Sequence, residues 1–337
     1  MNVTIGIWAA TLLGIVALVV LDFATASRTP HEVGFREAAL WSVFYVGVAV
    51  AFGTGVWLLA GSSYGTEYFA AYLVEKSLSV DNLFVFVIIL SQFAVPAIYH
   101  QRVLLVGVVL ALVFRAVFIA IGAAALATFA FTFVIFGAIL IWTGIGLLRH
   151  RDSDPNPRDN LVVRQVGKVV PLTDEYDGAR LLTWVHGRRV ATPLFLVMVA
   201  IGSTDLLFAL DSIPATFGVT QEAFLVFTAN AFALLGLRAL YFLLKGLLDK
   251  LVYLSLGLSI ILIFIGVKLV LLWGHEVNPS VPHIETSTSL LVILGILVIT
   301  ALASWVAVRR DPTRLAHAGT VTQPRPAEPD GPETSSA

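Results

Sequence analysis

Ser79-Val80-Asp81-Asn82-Leu83-Phe84 sits inside a long apolar run, and a second such run carries its near copy, Ser203-Thr204-Asp205-Leu206-Leu207-Phe208. Four of the six positions are identical. The likeness continues in order: Arg115-Ala116-Val117-Phe118 answers to Arg238-Ala239-Leu240-Tyr241, and Ile139-Leu140-Ile141 with Gly144 answers to Ile261-Leu262-Ile263 with Gly266. Apolar helices resemble one another by chance. Polar residues that match in the same order within them point to an internal duplication.

The surrounding composition says what the runs are. Of 337 residues, 58% are hydrophobic and 13% charged, and the mean hydropathy is +0.89. Soluble chains run at ~45–50% apolar and ~25% charged. Apolar stretches cover roughly 5–22, 38–60, 68–92, 103–124, 127–148, 193–214, 222–244, 251–273 and 288–308, most of them long enough to cross a bilayer as helices. Their continuity lacks the alternation of barrel strands. The expected fold is an all-α integral membrane protein of about nine transmembrane helices. The repeat unit is three spans, repeat A at about 68–148 and repeat B at about 193–273. An odd count inserts the second copy upside down, an architecture that secondary transporters use with the substrate site between the halves. Spans one, two and nine are additions to that pair. Gly47, Ala51 and Gly55 form a small-residue stripe on span two, which predicts close helix packing.

Orientation follows from Lys and Arg. Arg28 and Arg36, Arg102, the segment 149–192, Lys245 and Lys250, and the residues after span nine hold the positive charge of the connections, and these fall on one side. The opposite connections carry none. The positive-inside rule places the N-terminus outside and the C-terminus in the cytoplasm of a plasma membrane. Ala24-Thr25-Ala26 resembles a signal cleavage site, but no basic segment precedes the first run, so it reads as a retained helix. Within the cytoplasmic loop 149–192, Leu181 to Thr192 suggests a small hairpin. The tail 311–337 has a disordered composition. Transmembrane domain and loop together span 1–310.

The charges inside the spans carry the function. Glu75, Asp81, Asp205 and Asp211 fall in the apolar runs. A central charge costs ~2.5–3.5 kcal/mol on insertion scales, so such residues are paired, protonated or face a water-filled cavity. Glu75, Ser79 and Asn82 share one helix face. Glu75 and Asp81, like Asp205 and Asp211, stand six apart and about 120° around a helix. Both members reach one site only in a wide cavity or an unwound helix, and Pro214 predicts loosening at Asp211-Ser212-Ile213-Pro214. Arg115, Arg238 and Lys76 are the candidate supporting ion pairs, with Arg115 nearest mid-span and Arg238 and Lys268 in reach of opposite surfaces. Asn230 is a further oxygen ligand or interhelical glue. All seven His lie in loops or the tail, Cys is absent and Met is limited to two. The remaining set of carboxylate, amide, hydroxyl and carbonyl suits Mn²⁺, Ca²⁺ or Mg²⁺ rather than Cu⁺ or Zn²⁺. The candidate metal ligands are Asp81, Asp205, Asp211, Glu75 and Asn82.

Two stretches, Glu75-Lys76-Ser77-Leu78-Ser79-Val80-Asp81-Asn82-Leu83-Phe84-Val85-Phe86 and Asp205-Leu206-Leu207-Phe208-Ala209-Leu210-Asp211-Ser212-Ile213-Pro214-Ala215, resemble the motifs of the TerC family, named for tellurium resistance. The resemblance covers roughly 35–310. It implies kinship with LysE-type exporters and a link to Mn²⁺ export or to metal loading of exported proteins, with the motif acids at Glu75, Asp81, Asp205 and Asp211. Many members carry Glu three residues before the first Asp of the second motif, where this chain has Gly202. Tellurite is an anion that an acidic site repels, so resistance is indirect.

Three functions compete. The first is export of a hard divalent cation, Mn²⁺ foremost, by alternating access, with lipid and the metal ion as partners, no permanently bound cofactor and no nucleic acid. Proton antiport is a further expectation, since carboxylates in low dielectric carry protons near neutral pH. An intramembrane aspartyl protease is second, but the Gly-x-Gly-Asp context is missing around each intramembrane Asp, and no Gly-x-Ser-x-Gly occurs, so the chain is read as no enzyme. The third is a membrane assembly or metal-stress scaffold whose acids only hold helices together.

Overall fold

In the lipid interior every backbone N–H and C=O has to find its partner within the chain, which leaves helices as the form these runs take. A computed structural model describes residues 3–27, 33–129, 131–149, 162–163, 165–166, 170–173, 176–178, 180–185, 188–244, 252–282 and 284–310; the side chains of Asp81, Phe84, Gln92, Leu244 and Glu276 lie outside that set. The tail 311–337 and most of 150–170 fall outside the described residues, as do His186 and Gly187 in the middle of the expected hairpin. The helices are α1 Ile5–Ser27, α2 Phe35–Ala60, α3 Ser62–Gln92, α4 Ala97–Thr128, α5 Thr132–Arg149, α6 Pro193–Phe217, α7 Ala223–Leu235, α8 Leu237–Leu244, α9 Leu254–Val277 and α10 Thr286–Arg310. Among the described residues, eight segments are long and apolar enough to cross a membrane, α7 and α8 counting as one. α3 is as long but more charged, which accounts for the ninth predicted span.

Packing around α5 and α9 follows the duplication. α3 packs on α7, α4 on α6 and α5 on α9. Exchanging the two triplets maps this set of contacts onto itself. At the α5–α9 seam the correspondence reaches individual atoms. A Cβ on Gly144 would meet the Ser259 carbonyl oxygen at 2.9 Å and Ile263 at 2.7 Å; one on Gly266 would meet the Gly137 carbonyl oxygen and Ile141, each at 2.8 Å. Gly144 and Gly266 are counterparts in the sequence duplication, and so are Ile141 and Ile263. Gly137 lies against Gly266 and Val270 while Gly144 lies against Ser259 and Ile263, so the two helices run antiparallel with backbones in contact. Only glycine permits that approach.

The other helices wrap this centre. In the most apolar stretch of α7 and α8 83% of residues are buried, against 11% in α1 and 17% in α10. α1 and α10 therefore form part of the rim, where Ile5, Leu291 and Ile299 are exposed, as are Leu58 and Leu59 of α2. Such an apolar exterior matches lipid as solvent. The stripe Gly47, Ala51, Gly55 is not a packing seam within the chain: nothing approaches a Cβ at Gly47 or Gly55 within 4 Å. Close packing on α2 falls instead on Gly53, where a Cβ would strike Tyr68 and Phe69. Gly61, with φ +111, makes the abrupt turn from α2 into α3, a conformation L side chains rarely adopt.

One expected irregularity differs. α6 runs unbroken through Pro214 to Phe217. The proline removes one hydrogen bond, but Ser212 to Phe217 are all buried, and tertiary packing holds the turn in place. The break lies in span seven, between α7 and α8 at Gly236. The hairpin is present as antiparallel strands β1 Leu182–Val185 and β2 Arg188–Ala191, with Leu182 opposite Ala191. Arg189 lies over the Trp184 ring, 5.2 Å from its centroid. Tyr176 ties this loop to the membrane helices by donating its hydroxyl to the Phe93 carbonyl at 2.6 Å.

Candidate cation site

α3 and α6 carry the two motifs, one per half, and cross antiparallel: Glu75 meets Thr216, and two turns earlier on α3 Glu67 meets Thr220, farther along the chain. Glu75 is fully buried. Its Oε1 accepts from the Thr216 hydroxyl at 2.6 Å, and its Oε2 accepts from Arg115 Nη1 at 2.7 Å. Arg115 comes from α4 and is itself 1% exposed. Its Nη2 reaches Asp205 Oδ1 at 3.5 Å. With the Asn82 amide turned so that its oxygen faces the guanidinium, Nη2 also donates to Asn82 at 3.1 Å, while the amide nitrogen donates to the Leu78 carbonyl at 3.0 Å. One guanidinium therefore joins an acid and an amide of the first half to an acid of the second. Charge-assisted bonds of this kind are short and strong. Removing one partner of such a buried set costs ~3–5 kcal/mol, because the other is left uncompensated.

The cluster is not saturated. Asp205 Oδ2, Arg115 Nε, Ser79 Oγ and Ser212 Oγ are buried without a hydrogen-bond partner among the described residues. Ser79 is one helical turn from Glu75 on α3, and Ser212 is one turn from Thr216 on α6. The unsatisfied hydroxyls thus lie along the seam between the Glu75–Thr216 contact and the Asp205 contact. Buried polar groups are rarely left unpaired in a native interior. An oxygen-rich stretch left so is where water or an ion belongs.

Three of the five sequence-predicted ligands, Glu75, Asn82 and Asp205, come together on Arg115. Asp211 does not join them: its Oδ1 accepts from Thr143 of α5 at 2.8 Å. The Asp81 side chain lies outside the described residues. Among the described residues no three of His, Cys, Asp and Glu lie close enough to hold a metal ion. The supporting cations also differ from expectation. Arg238 reaches no surface and none of the motif acids whose side chains are described; it is 5% exposed and its Nη2 pairs with Asp22 Oδ1 of α1 at 2.5 Å. Lys76 forms no ion pair in the described set. It donates to the Ala233 carbonyl at 3.2 Å, at the end of α7 where the break at Gly236 interrupts the helix. Lys268 is buried, not snorkelled to the surface. Asn230 Nδ2 has no hydrogen-bond partner among the described residues.

Sequence reasoning missed Asp22, Thr216 and Thr143. Asp22 closes the first apolar run, and the signal was Arg238: a buried cation in another span needs an acid from somewhere. Thr216 and Thr143 carry no mark that separates them from other helical threonines.

At the end of the bundle away from the hairpin, a cavity of about 300 Å³ opens beside Tyr64, Glu67, Thr220, Gln221, Glu222 and Lys268. Glu67 Oε2 accepts there from the Thr220 hydroxyl at 2.6 Å. Thr216, one turn deeper on α6, is the residue that bonds Glu75. Two threonine–carboxylate contacts thus step from the cavity to the buried cluster.

These features define an all-helical integral membrane protein with a charged cluster buried between helices of two related halves. The chain belongs to the Integral membrane protein TerC family, whose pattern it matches over residues 60–312. It is 42% identical over 313 residues to an uncharacterized membrane protein of Myxococcus xanthus, covering 93% of this chain and 96% of that one. Against the thylakoid membrane protein TERC of Arabidopsis thaliana it is 41% identical over 264 residues, 78% of this chain and 66% of the relative. A protein of Escherichia coli O157:H7, named as a candidate membrane-bound redox modulator, is 34% identical over 319 residues, 92% and 97% of the two chains. No solved structure matches.

Proposed function

We propose that this chain exports a hard divalent cation, Mn²⁺ foremost, across the plasma membrane through the seam between α3 and α6. The observation that carries the reading is the meeting of Glu75 and Asp205, one from each half, on a single buried guanidinium beside unpartnered oxygens of Asp205, Ser79 and Ser212. Two carboxylates with hydroxyl and amide oxygens make a hard donor set, which favours Mn²⁺, Mg²⁺ or Ca²⁺ over softer metals. Asp81 and Asp211 supply further charge along the path, and the positive-inside orientation makes the Glu67 cavity the outer mouth. The reciprocal contacts of the two triplets support alternating access as the mechanism. No catalytic role is assigned. The chain has no cysteine, so a redox effect like that in the name of the Escherichia coli relative would act through metal supply rather than thiols.

One observation favours a second reading, a membrane scaffold with structural acids: Arg115 already pairs with both Glu75 and Asp205. The test is Mn²⁺ efflux from proteoliposomes loaded with the ion. Transport requires efflux by the wild type and its loss in Asp205→Asn and Glu75→Gln at matched incorporation. The scaffold reading requires no efflux from any of them and lower abundance of the variants in cells. An imposed pH gradient that leaves efflux unchanged excludes proton coupling.

A further inference from the structure

We propose that Arg115 is a tethered counter-cation, whose guanidinium holds the place a divalent ion takes between Glu75 and Asp205, and which is displaced for every ion carried. The inference rests on the transport reading and adds a residue that sets selectivity.

Charge is the first argument. Glu75 and Asp205 present two negative charges, and Arg115 returns one positive charge. A divalent ion balances the pair in full; a monovalent ion only equals what Arg115 already provides, and the arginine is held at high local concentration by its own helix. The site therefore rejects Na⁺ and K⁺ without a size filter.

Geometry is the second. The guanidinium grips Glu75 at 2.7 Å but touches Asp205 at 3.5 Å through one oxygen, and its Nε makes no bond. Asp205 Oδ2, Ser79 Oγ and Ser212 Oγ stay unused. A planar donor fork cannot satisfy oxygens spread along a seam between two helices, whereas a metal ion gathers six or more from all sides. Arg115 fills the site incompletely, as a displaceable occupant does.

The duplication supplies the third. Arg238 is the counterpart of Arg115, and it has an acid of its own, Asp22, from a helix outside the repeat. The second arginine is thereby committed to Asp22 and pairs with none of Glu75, Asp205 and Asp211. Among the described residues, Arg115 alone bridges acids of both halves.

The experiment measures Mn²⁺ binding to the purified full-length protein in detergent, with and without NaCl. Arg115→Gln is expected to bind Mn²⁺ about tenfold more tightly or better, tenfold being 1.4 kcal/mol, and to lose that gain when Na⁺ is added; wild-type binding is indifferent to Na⁺. Because Arg115→Gln leaves two buried acids facing each other and can fail to fold, Arg115→Lys is the second variant. It keeps the charge without the bidentate fork and is expected to bind Mn²⁺ several-fold more tightly (about 3-fold). Weaker or unchanged binding in a folded variant, while wild-type efflux persists, overturns the role of Arg115 and leaves transport standing. No binding and no efflux by the wild type overturns the transport reading and this inference with it.

Discussion

Asp22 and Arg238 form a buried contact between α1, at the rim, and α8, at the core, and its removal has a calculable cost. The contact is 2.5 Å, and the two side chains are 4% and 6% exposed. Asp22→Asn keeps the shape and leaves a guanidinium buried without its countercharge. Breaking one partner of such a pair costs ~3–5 kcal/mol. Arg238→Met alone leaves the carboxylate buried and costs a similar amount. The double variant leaves neither charge, and replacing a whole buried pair by apolar groups is often near neutral. Two single costs of ~3–5 kcal/mol against a near-neutral double make the expected coupling ~6–10 kcal/mol, above the ~0.5–3 kcal/mol usual for residues in contact. Equilibrium unfolding in mixed micelles, followed by tryptophan fluorescence, reads all four corners of the cycle. Additivity within ~0.5 kcal/mol would refute the pairing as an energetic element, and α1 would then be held by apolar contacts alone.

Three further outcomes are expected. Gly144→Ala and Gly266→Ala place a Cβ against backbone at related positions of the α5–α9 seam; each should destabilise by ~1–3 kcal/mol, as overpacking does, and by similar amounts, which the same unfolding assay checks. Tyr176→Phe removes the bond to the Phe93 carbonyl and should loosen the hairpin loop by ~1 kcal/mol, seen as faster proteolysis of that loop while the helices stay intact. The Thr183 hydroxyl, with Arg180 beside it, holds the Asp177 carboxyl below the usual carboxylate range. The contribution of Asp177 to loop order is present above the unfolded-state pKa and fades as pH falls through the lower folded value; ¹³C NMR should show that titration moving upward in Thr183→Val.

The spans were legible because composition over about twenty residues decides membrane insertion, and the duplication because its polar residues recur in order. Gathering of Glu75 and Asn82 followed from helical spacing along one face. Other features depend on neighbours the chain order conceals. Pro214 signals a break that the packing of Ser212 to Phe217 suppresses, and Gly236 gives a break where no proline stands. The acid for Arg238 comes from α1, far away in sequence. Asp211 turns to Thr143 of α5 because the two residues about 120° apart on an unbroken helix face different partners. Gly47 and Gly55 face outward because Gly53, between them, takes the seam with Tyr68.

The central claim is that carboxylates from two related halves carry a divalent ion through the membrane. Total cellular manganese, measured with and without expression of the protein at matched levels, tests it most directly. The account predicts that the wild type lowers cellular manganese and that Asp205→Asn and Asp81→Asn do not; equal depletion by wild type and both variants would contradict it.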